Sequence, residues 1–82
     1  MNPYFCYLVE CIDGSLYTGI TTDPDRRVRQ HNAGTGARYT KLHRPVKLVF
    51  LEKQESLSAA LKREREIKRL PREKKLLLIQ KY

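Results

Sequence analysis

A predicted β-hairpin near the N-terminus is the feature that most constrains what this chain can fold into. Two runs rich in aromatic and β-branched residues, YFCYLVECI and LYTGIT, flank Asp13-Gly14, a dipeptide typical of hairpin turns. The pattern predicts two neighbouring antiparallel strands. The length of the turn then decides which side chains share a face, because successive residues of a strand point to opposite faces.

The relative position of two tyrosines depends on that turn. A two-residue turn would put Tyr7 and Tyr17 on opposite faces of the sheet. A three-residue loop from Ile12 to Gly14, with Gly14 in a left-handed conformation, pairs Val9 with Tyr17 and puts both tyrosines on one face. We expect this second arrangement or another that likewise keeps both tyrosines on one face.

The chain is short and basic. Its 82 residues suffice for a single domain, residues 1–82, whose core is small, so a polar side chain that faces the core needs a reason. The net charge of +8 favours a polyanionic partner, either nucleic acid or an anionic membrane surface. No apolar run approaches the roughly 18 to 20 residues of a membrane helix, and the first residues do not resemble a signal peptide. We therefore expect a cytoplasmic protein without a membrane segment.

The two cysteines do not indicate a disulfide or a zinc site. Cys6 and Cys11 fall in one predicted strand, where five residues span about 16 Å. That separation exceeds the reach of a disulfide, and no Cys/His cluster elsewhere completes a set of zinc ligands. Both are expected to be small buried apolar side chains.

Capping residues, prolines and apolar runs predict the remaining elements. A first helix should run from about Pro24 to Asn32 and end near Gly34. Residues 34–45 read as a basic loop with room for one short turn, and VKLVFLE as a third strand with both faces largely covered. A second helix, capped by Ser56 or Ser58, should reach about Leu70, and Pro71 should open a third. The predicted class is α/β: a small three-stranded, mainly antiparallel sheet flanked by helices, in the order β-β-α-β-α-α.

The inner face of the first helix is unusually polar. At about 100° per residue, Arg27 and His31 share a face with Pro24 and Val28, while Arg26 and Arg29 point away. An arginine and a histidine that face the sheet must be stabilised there by some partner. His31 could also be a helix-end histidine that pairs with a backbone carbonyl.

A carboxylate interrupts the apolar face of the second helix. Glu64 lies near the centre of a stripe, whereas Glu66 points to the opposite side; the stripe consists of Leu57, Ala60, Leu61 and Ile67. Such a carboxylate is costly unless it is paired or binds a cation. The structural alternatives are a salt bridge to Arg27 or Lys68, or an apolar stripe that ends at the edge of the domain and leaves Glu64 in water.

These residue types suit the hydrolysis of a phosphodiester. A carboxylate can hold a divalent cation against the phosphate, an arginine can neutralise developing charge, and a tyrosine or histidine can help to deprotonate water. From the residues alone this is one candidate, because the tyrosines could equally be ordinary strand aromatics.

Four motifs in order resemble the GIY-YIG nucleases. The first two are FCY at residues 5–7 and YTG at residues 17–19, which resemble the paired tyrosine motif, although Phe5-Cys6 stands where the family has Gly-Ile. DPDRRVRQHN resembles the first helix of the family, and ALKREREIKRLPREKKLLLI its glutamate helix and the basic helix that follows. The resemblance covers nearly the whole chain and indicates a bare domain of the small bacterial type.

The resemblance implies a site and a cofactor. It matches Tyr7 and Tyr17 to the motif tyrosines, Arg27 to the catalytic arginine, His31 to the histidine one turn later and Glu64 to the metal ligand. It implies one Mg²⁺ or Mn²⁺ ion on Glu64 and cleavage of DNA, in a setting such as DNA repair or recombination.

A basic stretch, ARYTKLHR, adds candidate contacts to nucleic acid. Arg38, Lys41 and Arg44 suit phosphate contacts, and Tyr39 between them suits base stacking, although the stretch could also be a solvated loop. Two rivals to an active nuclease remain open at this stage. One is a nucleic-acid-binding module on the same fold without turnover, and the other is a structural protein with an ordinary ion-pair network.

Overall fold

The computed structural model describes residues 3–82, which form a three-stranded antiparallel sheet with helices on both faces. The strand order is β2-β1-β3, so β1 is central. Four helices accompany the sheet, and the elements in chain order are β1 (Tyr4–Cys11), β2 (Leu16–Thr21), α1 (Pro24–Ala33), α2 (Arg38–Lys41), β3 (Val46–Gln54), α3 (Leu57–Arg69) and α4 (Arg72–Lys81). The predicted class and element order are confirmed, with the single-turn helix α2 added in the stretch that was expected to be mostly loop.

The hairpin has the three-residue loop that places both tyrosines on one face. The Cys11 N–H donates to the Ser15 carbonyl at 2.8 Å and the Gly14 N–H donates to the Cys11 carbonyl at 2.9 Å, which leaves residues 12–14 as the loop. Gly14 has a φ of 86°, a conformation that glycine adopts at little cost. Val9 pairs with Tyr17, so the prediction is confirmed.

Each face of the sheet has its own apolar cluster. On the face covered by α3 and α4, the buried residues are Cys6, Leu8, Phe50, Ala60 and Ile67. On the face covered by α1, they are Tyr7, Val9, Cys11 and Val46. The two cysteines are free and buried, as expected, and they lie on opposite faces.

A bulge between β1 and β3 changes the face of the sheet toward which the side chains of β3 point. Leu8 pairs with Phe50 but Val9 pairs with Leu48, so the register shifts by one residue. Leu48 and Phe50 would share a face in a regular strand. The shift turns Phe50 toward α3 and Leu48 toward α1.

The helix ends follow from their capping residues. At the start of α1, the Asp23 carboxylate accepts a hydrogen bond from the Arg26 N–H at 3.1 Å, and Gly34 ends the helix in a left-handed conformation with a φ of 83°. Ser56 caps α3 through the Ala59 N–H at 3.1 Å, which settles the choice between two candidate serines. Pro71 lies just before α4 as its N-cap.

The predicted apolar stripe of α3 is only half correct. Ala60 and Ile67 are buried, but Leu57 and Leu61 remain 45% and 43% exposed. The helix lies mainly across β1 and β2, and both leucines keep much of their surface in solvent. None of the helices within residues 3–82 is long and apolar enough to cross a membrane.

Candidate active site

A buried tyrosine–histidine pair lies at the centre of the face covered by α1. The Tyr7 hydroxyl lies 2.8 Å from His31 Nε2, and the two side chains are 1% and 0% exposed. The alternative in which His31 pairs with a backbone carbonyl does not match these contacts. Its other ring nitrogen, Nδ1, lies 2.6 Å from the Thr40 hydroxyl, so two hydroxyl groups hold the ring.

Gly19 makes room for this pair. A Cβ atom at position 19 would lie 2.4 Å from the Tyr7 hydroxyl oxygen and 2.6 Å from its ring carbon Cζ. Tyr7 and Gly19 are directly paired across β1 and β2. Position 19 therefore has to be glycine because any side chain there would clash with the Tyr7 ring.

Arg27 extends the same chain of polar groups toward the surface. Its Nε lies 3.4 Å from the Tyr7 hydroxyl, and its Nη1 donates to Gln30 Oε1 at 3.2 Å. Both partners are neutral, and no carboxylate within residues 3–82 forms a salt bridge with Arg27. A half-buried guanidinium therefore keeps its charge available for an anion.

The surroundings shift the pKa values of the pair in opposite directions. Burial raises the pKa of Tyr7, and Arg27 partly offsets that rise by its hydrogen bond and its charge. Burial, followed by the charge of Arg27, lowers the pKa of His31 below its ordinary value of 6.5. At neutral pH the site therefore holds a protonated tyrosine beside a neutral imidazole.

An aromatic ladder leads from this pair to the surface. The ring of Tyr17 contacts the edge of His31, with centroids 5.4 Å apart. Tyr39 lies nearly parallel to Tyr17 at 6.2 Å, and His43 stacks on Tyr39 at 4.1 Å. Tyr17 is half-buried and Tyr39 is exposed, so this ladder offers aromatic surface close to the buried pair.

Glu64 comes from the helix on the other face of the sheet. Its side chain is 20% exposed and forms a salt bridge with Lys68 at 3.5 Å, which is one of the structural alternatives to a metal-binding role. Its negative charge contributes to the raised pKa of Tyr7 and of Cys6, behind the larger effect of burial. The charge of Glu64 thus acts on the tyrosine even though α3 covers the opposite face.

A metal ion would have few protein ligands here. The described part of the chain contains no group of three His, Cys, Asp or Glu side chains that could hold one. A single carboxylate nevertheless fits Mg²⁺, which keeps several waters and often binds through one or two carboxylates plus substrate phosphates. Glu64 is the one predicted ligand, and its donor chemistry is compatible with that ion.

The predicted nucleic-acid contacts lie on and after α2. This helix carries Arg38, Tyr39 and Lys41. The Arg44 side chain folds back and donates from Nε to the Lys41 carbonyl at 3.1 Å. The structure thus places Tyr39 beside the candidate site and gives Arg44 a local structural contact.

Sequence reasoning missed several side chains of this region. Thr40 touches His31, and His43 stacks on Tyr39. Lys68 and Lys75 line a cavity of about 250 Å³ together with Tyr17 and Tyr39. A single buried threonine in a basic loop carries no periodic signal, so only the fold could reveal its contact.

Comparison with known proteins finds matches over nearly the whole chain. The model of the GIY-YIG catalytic domain matches residues 3–76. A UPF0213 protein of Staphylococcus aureus strain Mu3 is 57% identical over 79 residues, which is 96% of each chain.

Two structures determined by solution NMR have the same fold. The UPF0213 protein BH0048 of Bacillus halodurans is 44% identical with a TM-score of 0.61, over 95% of this chain and 83% of that one. The protein EF2693 of E. faecalis is 41% identical with a TM-score of 0.66, over 99% and 86%. The chain described here therefore belongs to the GIY-YIG catalytic domain family.

Proposed function

We propose that this protein is a divalent-metal-dependent endonuclease that hydrolyses phosphodiester bonds of DNA. The observation that carries the proposal is the chain of contacts Arg27–Tyr7–His31, which joins an anion-binding group, a hydroxyl and a neutral base within hydrogen-bond distances. Membership of a nuclease family supports the same chemistry. Glu64 adds negative charge on the side of Tyr7 away from the histidine's helix.

Tyr7 and His31 would accept the proton of the attacking water. As Tyr7 takes a proton from water, its own proton passes to His31 Nε2, so no free tyrosinate has to form despite the raised pKa. Tyr7 is almost fully buried, and water would reach its hydroxyl when a phosphate draws the flexible Arg27 side chain outward. Tyr17, which is less buried, would position the water and the phosphate.

Arg27 would stabilise the negative charge that develops on the phosphate oxygens. Glu64 would hold one Mg²⁺ or Mn²⁺ ion, which supplies Lewis-acid polarisation of the phosphate when bound. For this, Glu64 would have to exchange its contact with Lys68 for the ion. A partly exposed ion pair spaced i, i+4 contributes only about 0.3–0.5 kcal/mol to stability. Replacing Lys68 by the ion therefore costs little stability.

The basic residues around the ladder would hold the nucleic acid. Arg38 and Lys41 on α2 and Lys68 and Lys75 beside the cavity surround Tyr39. Lysines and arginines contact phosphates without regard to sequence, while an exposed tyrosine offers a face for a base. We propose Arg44 as a weaker contact, because its guanidinium already binds backbone carbonyls.

A nucleic-acid-binding module without turnover is the alternative. The observation in its favour is that Lys68 already occupies the Glu64 carboxylate. In that case Arg27 and the basic residues would still bind nucleic acid, but no ion would bind at Glu64.

The deciding experiment compares Glu64→Gln with Glu66→Gln on a panel of labelled DNA structures and RNA, with and without Mn²⁺. Glu66 is the matched control because it lies on the same helix, half-exposed and paired with Arg63 at 3.6 Å. Glu64→Gln should abolish metal-dependent cleavage while leaving DNA binding equal or slightly tighter, since one repulsive charge is removed. Glu66→Gln should cleave nearly as well as the unaltered protein.

Either of two results would contradict this proposal. Cleavage by Glu64→Gln at the normal rate would show that Glu64 is not the metal ligand. Binding without cleavage of every substrate by the unaltered protein would establish the inactive module. Stability should not differ much between the variants, because the Glu64–Lys68 pair contributes only about 0.5 kcal/mol.

A further inference from the structure

Both ring nitrogens of the buried His31 have polar neighbours, and their geometry determines which nitrogen carries the proton. A neutral imidazole has one N–H, so one nitrogen donates and the other accepts. Thr40 Oγ1 lies 2.6 Å from Nδ1, and the same hydroxyl donates to the Ala37 carbonyl at 2.9 Å. A carbonyl can only accept, so the two contacts form together only when the Thr40 hydroxyl donates to Ala37 and accepts from the ring.

The other side of the ring leads to the same conclusion. Arg27 Nε–H points to the Tyr7 hydroxyl oxygen from 3.4 Å, and arginine cannot accept a hydrogen bond. That contact is long, but His31 Nε2 is the one hydrogen-bond acceptor that the Tyr7 hydroxyl has within residues 3–82, so Tyr7 donates its proton to it. With the opposite tautomer, the Tyr7 hydroxyl would face two donors and lose its acceptor, which is costly for a side chain that is almost fully buried.

One contact opposes this assignment. The Ala37 N–H lies 3.5 Å from Nδ1, where it would favour an unprotonated nitrogen. That distance is 0.9 Å longer than the Thr40 contact, and a hydrogen bond of 3.5 Å contributes little.

We propose that Thr40 is a positioning residue that holds His31 in the tautomer protonated at Nδ1, so that Nε2 stays free to receive the proton of Tyr7. Thr40 is fully buried and lies on α2. The consequence for cleavage rests on the proposed function, but the tautomer itself does not.

The test combines ¹⁵N NMR of the histidine rings with cleavage. The chain has two histidines, so a His43→Gln variant assigns the signals of His31. We expect unaltered protein to show a protonated Nδ1 and an unprotonated Nε2. Thr40→Val keeps the shape but cannot accept, so it should shift the proton to Nε2 or mix the tautomers. Thr40→Ser keeps the hydroxyl and should restore the original pattern.

Cleavage should follow the tautomer. Thr40→Val should lose about 10- to 100-fold in kcat/KM, by analogy with the loss on removing the partner that orients a metal-binding histidine, and Thr40→Ser should recover most of it. A protonated Nε2 in the unaltered protein would overturn the proposal, and this measurement needs no variant to fold. Unchanged tautomer and cleavage in Thr40→Val would overturn it as well. The expected tautomers in proteins that cleave nothing would instead reject the proposed function.

Discussion

The two faces of the sheet differ although they are built from alternate residues of one strand. On one face, Cys6 and Leu8 lie against the apolar side of α3. On the other, Tyr7 and Val9 lie under α1, and the buried group includes the polar side chains of His31 and Thr40. The first face consists of apolar packing, whereas a chain of hydrogen bonds joins the buried polar side chains of the second.

The difference shows how a small domain can bury a functional site. Within residues 3–82 no buried side-chain nitrogen or oxygen lacks a hydrogen-bond partner. Polar groups can be buried at low cost only when every donor and acceptor is satisfied. The apolar face can therefore supply stability while the polar face keeps its reactive groups, and four substitutions or conditions test that division.

The largest effect should come from Tyr7→Phe on the polar face. Removing the hydroxyl breaks the path from water to His31, so cleavage should fall by about 10²- to 10⁴-fold in single-turnover assays with Mn²⁺. Tyr4→Phe is the control, because Tyr4 lies against the apolar cluster. Comparable losses in both variants would show that the faces do not differ in this way.

The reverse experiment is Leu8→Ala on the apolar face. Leu8 is fully buried, so its truncation should lower the free energy of unfolding by about 2–5 kcal/mol, as measured by urea denaturation. Cleavage per folded molecule should be unchanged. A loss of cleavage beyond the loss of folded protein would mean that the packing of Leu8 under α3 also positions Glu64.

Gly19→Ala should affect both properties, to a smaller extent. The new Cβ would lie 2.4 Å from the Tyr7 hydroxyl, and the ring is held by its hydrogen bond to His31, so the substitution should cost about 1–3 kcal/mol and reduce cleavage. Adding Tyr7→Phe should not restore stability fully, because Cζ would still lie 2.6 Å away. Full recovery in the double variant would refute this steric account.

The smallest effect concerns pH. The pKa of His31 in the folded protein is lowered from 6.5. Below about pH 6.5, His31 therefore binds a proton in the unfolded chain but not in the folded protein. The free energy of unfolding should therefore fall as the pH drops from 6.5 toward the lowered pKa of the folded state, and should be constant above 6.5. Urea denaturation between pH 5 and 7.5 measures this slope.

Two variants identify the group that causes the pH dependence of the free energy of unfolding. His31→Gln should flatten the slope, whatever its effect on overall stability. His43→Gln is the control and should retain it, because the slope is assigned to the buried His31. A slope that persists in His31→Gln would assign the pH dependence to another group.

Local patterns in the sequence predicted most of the fold and part of the candidate site. The hairpin and its face parity followed from Asp13-Gly14 and the spacing of the tyrosines, and helical periodicity identified Arg27, His31 and Glu64 as inward residues. These features depend on neighbours within a few positions, where backbone geometry alone relates one side chain to another. The same periodicity overestimated the burial of Leu57 and Leu61, because it reports which face a residue shares and not how far the neighbouring element extends.

Contacts between distant segments had to come from the tertiary structure. The partners of His31 are Tyr7 and Thr40, 24 and 9 positions away, and the shift that sends Phe50 and Leu48 to opposite faces arises in the pairing of two strands. The sequence determined which groups carry protons and charge and which face each one takes. Only the packing of α1 and α2 against β1 decided which groups touch, because hydrogen bonds act over about 3 Å and such distances are set by the whole fold.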